Sequence, residues 1–124
     1  MSKTNVLICD DSAFARKQMA RAIPDGWDVL LHFAKDGQEA LEMIRAGKGD
    51  VMFLDLNMPV MDGITFAFAL KEEEGLKDIP LVMCTTENFE SVRDDIKQLG
   101  IRAWMTKPIT KKLLIMALQK ILNG

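Results

Sequence analysis

VMFLDLNMP, residues 51–59, decides the fold class of this sequence. Four apolar residues lead directly to Asp55, and a loop with Asn57 and Pro59 follows. A continuous apolar run of this length is typical of a strand that is covered on both faces of a parallel sheet. An ionised carboxylate at the end of such a strand has to be paired, bound to a metal or neutralised. The rest of the sequence should therefore supply groups that meet Asp55.

Four further apolar runs have the length of strands, and segments with helical spacing of apolar residues separate them. The runs are residues 6–9, 29–31, 81–84 and 103–105, and the predicted helices lie around residues 15–23, 40–44, 66–70, 89–99 and 114–121. Five strand–helix units in succession predict an α/β fold with a parallel sheet and right-handed crossovers. The pattern fills the chain, so we expect one domain over residues 1–124.

Composition excludes several classes of function. With 48% hydrophobic and 27% charged residues, the chain can bury a core and is not disordered. A net charge of -2 gives no basic field for direct nucleic-acid binding. The two cysteines lie inside apolar runs and are expected to be reduced thiols. No run approaches the roughly 18 apolar residues of a membrane span, and no signal peptide is evident, so we expect a cytoplasmic protein without membrane insertion.

Polar residues follow the ends of four predicted strands: Asp10 and Asp11, then Asp55, then Thr85, then Lys107. Ligands of open α/β sheets bind beyond the carboxyl ends of the strands, so these side chains meet if their strands are neighbours. Two like charges 4 Å apart repel by about 1 kcal/mol in water and by more in a lower dielectric. One lysine cannot neutralise three carboxylates. A divalent cation can, and all-oxygen ligands favour Mg²⁺ over zinc.

Bound Mg²⁺ and Lys107 would surround Asp55 with positive charge, which suits a phosphoryl group. A carboxylate can attack phosphorus as a nucleophile and form an aspartyl phosphate, with the cations stabilising the transferring oxygens. Each residue also has a plain structural interpretation. Asp10 and Asp11 could be acids at a helix N-terminus, Thr85 could simply end a strand, and Lys107 could be a solvated surface lysine.

Taken together, Asp10-Asp11, the run DLNMPVMDG at residues 55–63, Thr85 and Lys107-Pro108 resemble the receiver domain of two-component response regulators. The resemblance covers essentially the whole chain. It implies a flavodoxin-like three-layer (βα)5 fold with strand order 2-1-3-4-5, and it implies that Asp55 is the phosphoacceptor.

The resemblance also implies a metal site. Asp11 and Asp55 would ligate Mg²⁺ directly, Asp10 mainly through water, and the backbone carbonyl of Asn57 would complete the protein ligands. Lys107 would pair with the phosphoryl oxygens.

The resemblance also implies a conformational switch. Thr85 would hydrogen-bond the phosphoryl group, and Trp104 stands where the family usually has a Tyr or Phe switch residue. The Lys107-Pro108 peptide bond would be cis and would aim the lysine amine into the pocket.

The expected function is therefore that of a phospho-accepting switch, not of an enzyme with a separate substrate, although the domain would promote its own phosphorylation and dephosphorylation. The donor would be a histidine kinase or phosphotransfer protein. The target would bind a face formed by the fourth helix, the fifth strand and the fifth helix.

Two other classes compete with this function. A Mg²⁺-dependent phosphohydrolase with an Asp nucleophile would need a second acid where this chain has Asn57, which cannot act as an acid or base. A purely structural interaction domain would not require the complete set of acids, threonine and lysine.

Overall fold

The computed structural model describes residues 3–55, 62–73, 79–85, 94, 98, 99, 101, 103–107 and 109–123. Five strands form one sheet in the order β2-β1-β3-β4-β5, and every neighbouring pair is parallel. The strands are β1 Thr4–Cys9, β2 Val29–Ala34, β3 Val51–Asp55, β4 Leu81–Thr85 and β5 Ala103–Thr106. The predicted α/β class, flavodoxin-like architecture and strand order are confirmed.

Three helices follow the first three strands, and a fourth ends the described chain. They are α1 Ala13–Ala22, α2 Gly37–Arg45, α3 Gly63–Glu72 and the C-terminal helix Lys111–Asn123. Of the helix predicted at residues 89–99, only Asp94, Gln98 and Leu99 lie within the described residues, and all three are helical.

Side-chain oxygens cap the helices where the chain leaves the carboxyl edge of the sheet. Ser12 Oγ accepts a hydrogen bond from Ala15 N at 3.2 Å, and Thr110 Oγ1 accepts one from Leu113 N at 3.2 Å. Asp36 and Asp62 cap α2 and α3 in the same way. Such a cap contributes about 1 kcal/mol, and it fixes where each loop turns away from the site.

The sheet separates two apolar cores. Along β3, Met52 and Leu54 belong to the core under α2 and α3, whereas Val51 and Phe53 belong to the core under α1 and the C-terminal helix. All of β3 is buried, as its continuous apolar sequence predicts. Burial on both faces fixes the register of the central strand, and with it the position of Asp55 at its end.

The amino edge of the sheet, where the strands begin, is tied together by hydrogen bonds around Asn5. Asp50 Oδ2 accepts hydrogen bonds from Asn5 N at 2.7 Å and from Asn5 Nδ2 at 3.1 Å. Asn5 Oδ1 lies 2.9 Å from His32 Nε2. His32 lies on β2, and its ring contacts Asn5. Among the described residues, no helix is both long and apolar enough to cross a bilayer.

Candidate metal and phosphoryl site

Strand register brings three acidic residues together at the carboxyl edge of the sheet. Cys9 lies opposite Leu54 in the β1–β3 pair, so the next residues on the two strands are Asp10 and Asp55. Carboxylate oxygens of Asp10, Asp11 and Asp55 all lie within 4.8 Å of one another. This grouping, which we call the acidic cluster, contains the three acids that the sequence predicts to converge.

The three carboxylates differ in their access to water. Asp10 is only 2% exposed and Asp55 7% exposed, whereas Asp11 is exposed. The chain leaves β1 between Cys9 and Ser12, so two consecutive acids point into different environments. Burial of two carboxylates beside a third makes the cluster electrostatically expensive unless cations are present.

Asp10 is held rigidly by groups on two elements. Its Oδ1 accepts a hydrogen bond from Ser12 N at 2.9 Å, and its Oδ2 accepts one from Lys107 Nζ at 2.6 Å. Its backbone oxygen accepts a hydrogen bond from Arg16 Nη1 at 2.6 Å. Both carboxylate oxygens of Asp10 are therefore engaged by protein groups.

Ser12 and Arg16 were not identified from the sequence as site residues. Ser12 carried a detectable signal, because a serine just before an amphipathic helix is a common N-cap. Its backbone N–H also donates a hydrogen bond to Asp10 Oδ1, so Ser12 both caps α1 and orients an acid of the cluster. Arg16 carried no such signal, because its contact with Asp10 depends on how α1 packs.

Lys107 bridges two of the acids. Its Nζ lies 2.6 Å from Asp10 Oδ2 and 3.5 Å from Asp55 Oδ2. Burial by itself would lower the pKa of this ammonium group, but the hydrogen bond to Asp10 and the charges of Asp10 and Asp55 outweigh it and raise the pKa above its ordinary value. Lys107 therefore stays charged at neutral pH and compensates one of the three negative charges.

The donor set fits Mg²⁺. The cluster offers carboxylate oxygens, and the described part of the chain places no histidine or thiolate among them. With octahedral Mg–O bonds of about 2.1 Å, neighbouring ligand oxygens lie about 3 Å apart and opposite ones about 4.2 Å apart, so a grouping within 4.8 Å needs little closure to bind such an ion. Counted over the described residues of the cluster, three carboxylates and Lys107 carry a formal charge of -2, which one divalent cation would balance.

Other predicted site residues lie partly or wholly outside the described residues. Asn57 and Pro108 do so entirely, and so does the geometry of the Lys107-Pro108 peptide bond. Thr85 ends β4 and pairs with Thr106 of β5, but its side chain is outside the described part. Trp104 lies on β5, is half-buried and packs against the core under α2 and α3.

Two buried thiols, Cys9 and Cys84, lie near the cluster. Burial, reinforced by nearby carboxylates, raises the pKa of Cys9, and burial likewise raises that of Cys84 although Lys107 opposes it. Both stay protonated at neutral pH. They belong to opposite cores and form no disulfide, which confirms the prediction of free thiols.

Known proteins share this fold and sequence pattern. The family model for the response regulator receiver domain matches residues 6–119. The chemotaxis protein CheY of Pseudomonas aeruginosa is 32% identical over 94% of this chain and 94% of its own length. The positive alginate biosynthesis regulatory protein of the same organism is 35% identical, but this chain spans only 46% of its length.

Solved structures agree with these sequence matches. The chemotaxis protein CheY4 of Vibrio cholerae superposes with a TM-score of 0.85 at 33% identity, covering 97% of this chain and 99% of that chain. The fold and the acidic cluster define an α/β domain of the flavodoxin-like kind. The chain belongs to the response regulator receiver domain family.

Proposed function

We propose that this protein is a phospho-accepting signalling switch in which Asp55 receives a phosphoryl group from a histidine kinase or phosphotransfer protein. The observation that carries the proposal is the convergence of three carboxylates and Lys107 at the end of β3. A core strand holds Asp55 in place, and a partly compensated negative cluster surrounds it. Such an arrangement is costly unless a cation binds to it, and a bound cation together with Lys107 would supply the positive charge that a phosphoryl group requires.

Asp55 is the nucleophile in this scheme. One of its carboxylate oxygens forms a bond to phosphorus while the phosphorus–nitrogen bond of a phosphohistidine breaks, and the imidazole leaves with the electron pair and takes up a proton. Lys107, already 3.5 Å from Asp55 Oδ2, would pair with an oxygen of the incoming group. Mg²⁺, when bound, supplies positive charge that neutralises the transferring oxygens.

The ligand roles are those that the family resemblance implies, and the contacts of Asp10 support its part in them. Asp11 and Asp55 would bind Mg²⁺ directly, together with the backbone carbonyl of Asn57. Asp10 would act mainly through water, which agrees with the two hydrogen bonds that already occupy its oxygens. The protein would thus hold the metal with few direct ligands and retain waters, as Mg²⁺ sites usually do.

The conformational response would pass through Thr85 and Trp104. A phosphoryl group on Asp55 would attract the Thr85 hydroxyl, and the Trp104 ring could then move. A change from 1:99 to 99:1 needs about 5.5 kcal/mol of differential affinity. One hydrogen bond to a charged group supplies about 1.5–3 kcal/mol, so we expect a partial shift unless Lys107 adds the remainder. The face formed by the helix predicted at residues 89–99, β5 and the C-terminal helix would report the change to a target.

The test is covalent labelling. Incubation with Mg²⁺ and acetyl phosphate should add one phosphoryl group that is labile to base and hydroxylamine, detected by intact mass spectrometry. Asp55→Asn should abolish the label, whereas Asp25→Asn, at an exposed turn, should leave it unchanged. Equal labelling of Asp55→Asn and the wild type would refute the phosphoacceptor assignment, and sustained turnover of a small phosphomonoester would favour a hydrolase instead.

A further inference from the structure

The strand β2 lies at one end of the sheet, and no strand in the described part of the chain pairs with its outer side. Its register with β1 runs without interruption from Val29 to Ala34, so the strand contains no bulge. Its sequence, VLLHFA, contains no charged residue, proline or glycine. Bulges, charges, prolines and short length are the means by which proteins protect exposed strand edges. The strand at the other end, β5, has only 4 residues, whereas β2 has 6 and carries none of these protections.

Backbone groups of alternate residues on β2 point away from the sheet. Asp28 O accepts a hydrogen bond from Thr4 N at 3.0 Å. Ala34 O accepts one from Asp10 N at 3.1 Å. Residues of a parallel strand turn their backbone groups towards one neighbour at every second position, so the even-numbered residues from 28 to 34 face β1. The residues that turn their N–H and C=O groups outward are Val29, Leu31 and Phe33.

Most of these outward groups are positioned to pair with an added strand. The exception is the N–H of Val29, which donates a hydrogen bond to Trp27 O at 2.8 Å. The N–H groups of Leu31 and Phe33 and the carbonyl of Val29 remain directed towards the outside. An extended segment that lies along such an edge gains main-chain hydrogen bonds, and the side chains on the edge decide which segment fits.

Apolar side chains are incompletely covered on both faces of this edge. Leu30 is 46% exposed and Phe33 is 37% exposed. Val29 and Leu31 are half-buried and pack against the core under α1 and the C-terminal helix. An added strand would cover more of this apolar surface, which favours association.

A second copy of β2 fits this edge in antiparallel orientation about a two-fold axis normal to the sheet. Such an axis keeps the α1 sides of both copies on one face of the joined sheet, so odd-numbered residues lie opposite odd-numbered ones. When Leu31 lies opposite itself, Phe33 lies opposite Val29 of the second copy. On the other face, Leu30 lies opposite His32. Apolar and aromatic pairs of this kind stabilise neighbouring strands.

Charge at the strand ends favours this register over the adjacent one. If His32 lay opposite itself, Asp28 would lie opposite Asp36 of the second copy, and like charges directly opposite each other are destabilising. In the register centred on Leu31, Asp28 lies opposite Ala34 instead. The edge is therefore complementary to itself in one register.

We propose that the outer edge of β2 is a self-association surface, on which a second copy of this chain adds its own β2 antiparallel and extends the sheet. Each copy would donate hydrogen bonds from Leu31 N and Phe33 N and accept them at Leu31 O and Val29 O. The contact is centred on one pair of strands and is smaller than the roughly 1,200–2,000 Å² of stable interfaces, so the dimer is weak. This inference goes beyond the phosphoacceptor reaction and does not depend on it.

The first test is the oligomeric state of the full chain. Sedimentation equilibrium from about 5 to 500 µM should show a monomer–dimer equilibrium with a dissociation constant of about 100 µM. Association should stop at the dimer, because a two-fold contact uses the edge of both copies. A protein that stays monomeric over this range, or that forms larger oligomers, would overturn the proposal.

A matched pair of substitutions locates the contact. Phe33→Lys places a charge on the apolar edge and should raise the dissociation constant at least about tenfold. Phe68→Lys makes the same change on α3, where Phe68 is 38% exposed, and should change the constant less than about twofold. Circular dichroism checks that both variants fold. Equal effects of the two substitutions would contradict association through β2.

Cross-linking tests the register and remains informative if Phe33→Lys does not fold. Leu30 and His32 of opposite copies form a pair without hydrogen bonds, with Cα atoms about 4.5 Å apart, which lies within the range of a disulfide. A mixture of Leu30→Cys and His32→Cys, oxidised with glutathione disulfide, should give a heterodimer that intact mass spectrometry identifies. Each variant alone should give much less dimer, because Cys9 and Cys84 are buried. Dimers from His32→Cys alone in equal yield would overturn the register.

Phosphorylation provides an independent readout. Labelling of Asp55 by acetyl phosphate should be the same in Phe33→Lys as in the wild type, because Phe33 lies on the edge strand and not in the acidic cluster. A monomeric wild type that is labelled at Asp55 would overturn self-association alone. A dimeric wild type without label would overturn the phosphoacceptor function alone.

Discussion

The two edges of the sheet both carry acidic residues, but the carboxylates at the two edges differ in their exposure to water and in their partners. At the amino edge, Asp50 accepts two hydrogen bonds from Asn5, and its single charge is exposed to water. At the carboxyl edge, three carboxylates share one lysine, and two of the three are buried. The difference shows that an acid alone does not mark a site. Among the described residues, the distinguishing property of the carboxyl edge is that three carboxylates lie together beside one lysine.

Removing Lys107, the cation that contacts two acids of the cluster, should have the largest effect. Lys107→Met leaves the buried Asp10 Oδ2 without its hydrogen bond from Lys107, and we expect the free energy of unfolding to fall by about 2–4 kcal/mol without Mg²⁺. Urea denaturation measures the loss. Lys48→Met, at an exposed position, serves as the control and should change stability by less than about 0.5 kcal/mol. A Lys107→Met protein as stable as the control would mean that the cluster does not need its lysine.

Neutralising one acid should have opposite effects at the two edges. Asp55→Asn relieves repulsion in the acidic cluster and should stabilise the Mg²⁺-free protein by about 1 kcal/mol. Asp50→Ala removes an acceptor that serves two N–H groups of Asn5, and it should destabilise the protein by about 1 kcal/mol. Chemical denaturation in the presence of a chelator gives the sign of the change in the free energy of unfolding for each variant. If both substitutions destabilise the protein, the two edges do not differ in the effect of neutralising an acid.

Alkaline pH should reveal a smaller contribution of Lys107 to the free energy of unfolding. Its pKa is raised in the folded protein, from an ordinary value of 10.5, so the folded state holds this proton more tightly than the unfolded state. The resulting stability is fully present below pH 10.5 and is lost as the pH rises through the folded-state pKa. The wild type should therefore lose more stability above pH 10.5 than Lys107→Met does, as measured by urea denaturation at a series of pH values. Parallel losses in the two proteins would contradict the assignment.

The sequence was sufficient for the fold and for most of the acidic cluster, and the reason is physical. Continuous apolar runs identify strands that are buried on both faces, and the ends of parallel strands meet at one edge, so the convergence of Asp10, Asp55 and Lys107 was predictable. Which of two consecutive acids is buried was not, because that depends on how the chain turns after Cys9. The contact of Arg16 with the backbone of Asp10 was hidden for the same reason, since it depends on helix packing.

Contacts at the amino edge of the sheet were likewise not predictable from the sequence. Asn5 and Asp50 are 45 residues apart and polar, and nothing in their local sequence indicates that they pair.

Binding of Mg²⁺ tests the central claim most directly, because only the carboxyl edge is expected to use the ion. Mg²⁺ at its dissociation constant should raise the free energy of unfolding of the wild type by about 0.4 kcal/mol, and at ten times that concentration by about 1.4 kcal/mol. Asp11→Asn should lose most of this gain, while Asp50→Asn should keep it. The measurement is urea denaturation over a Mg²⁺ titration, with Ca²⁺-free buffer and constant ionic strength. A wild type indifferent to millimolar Mg²⁺, or an Asp11→Asn variant that gains as much as the wild type, would contradict a metal-dependent phosphoryl site at this edge of the sheet.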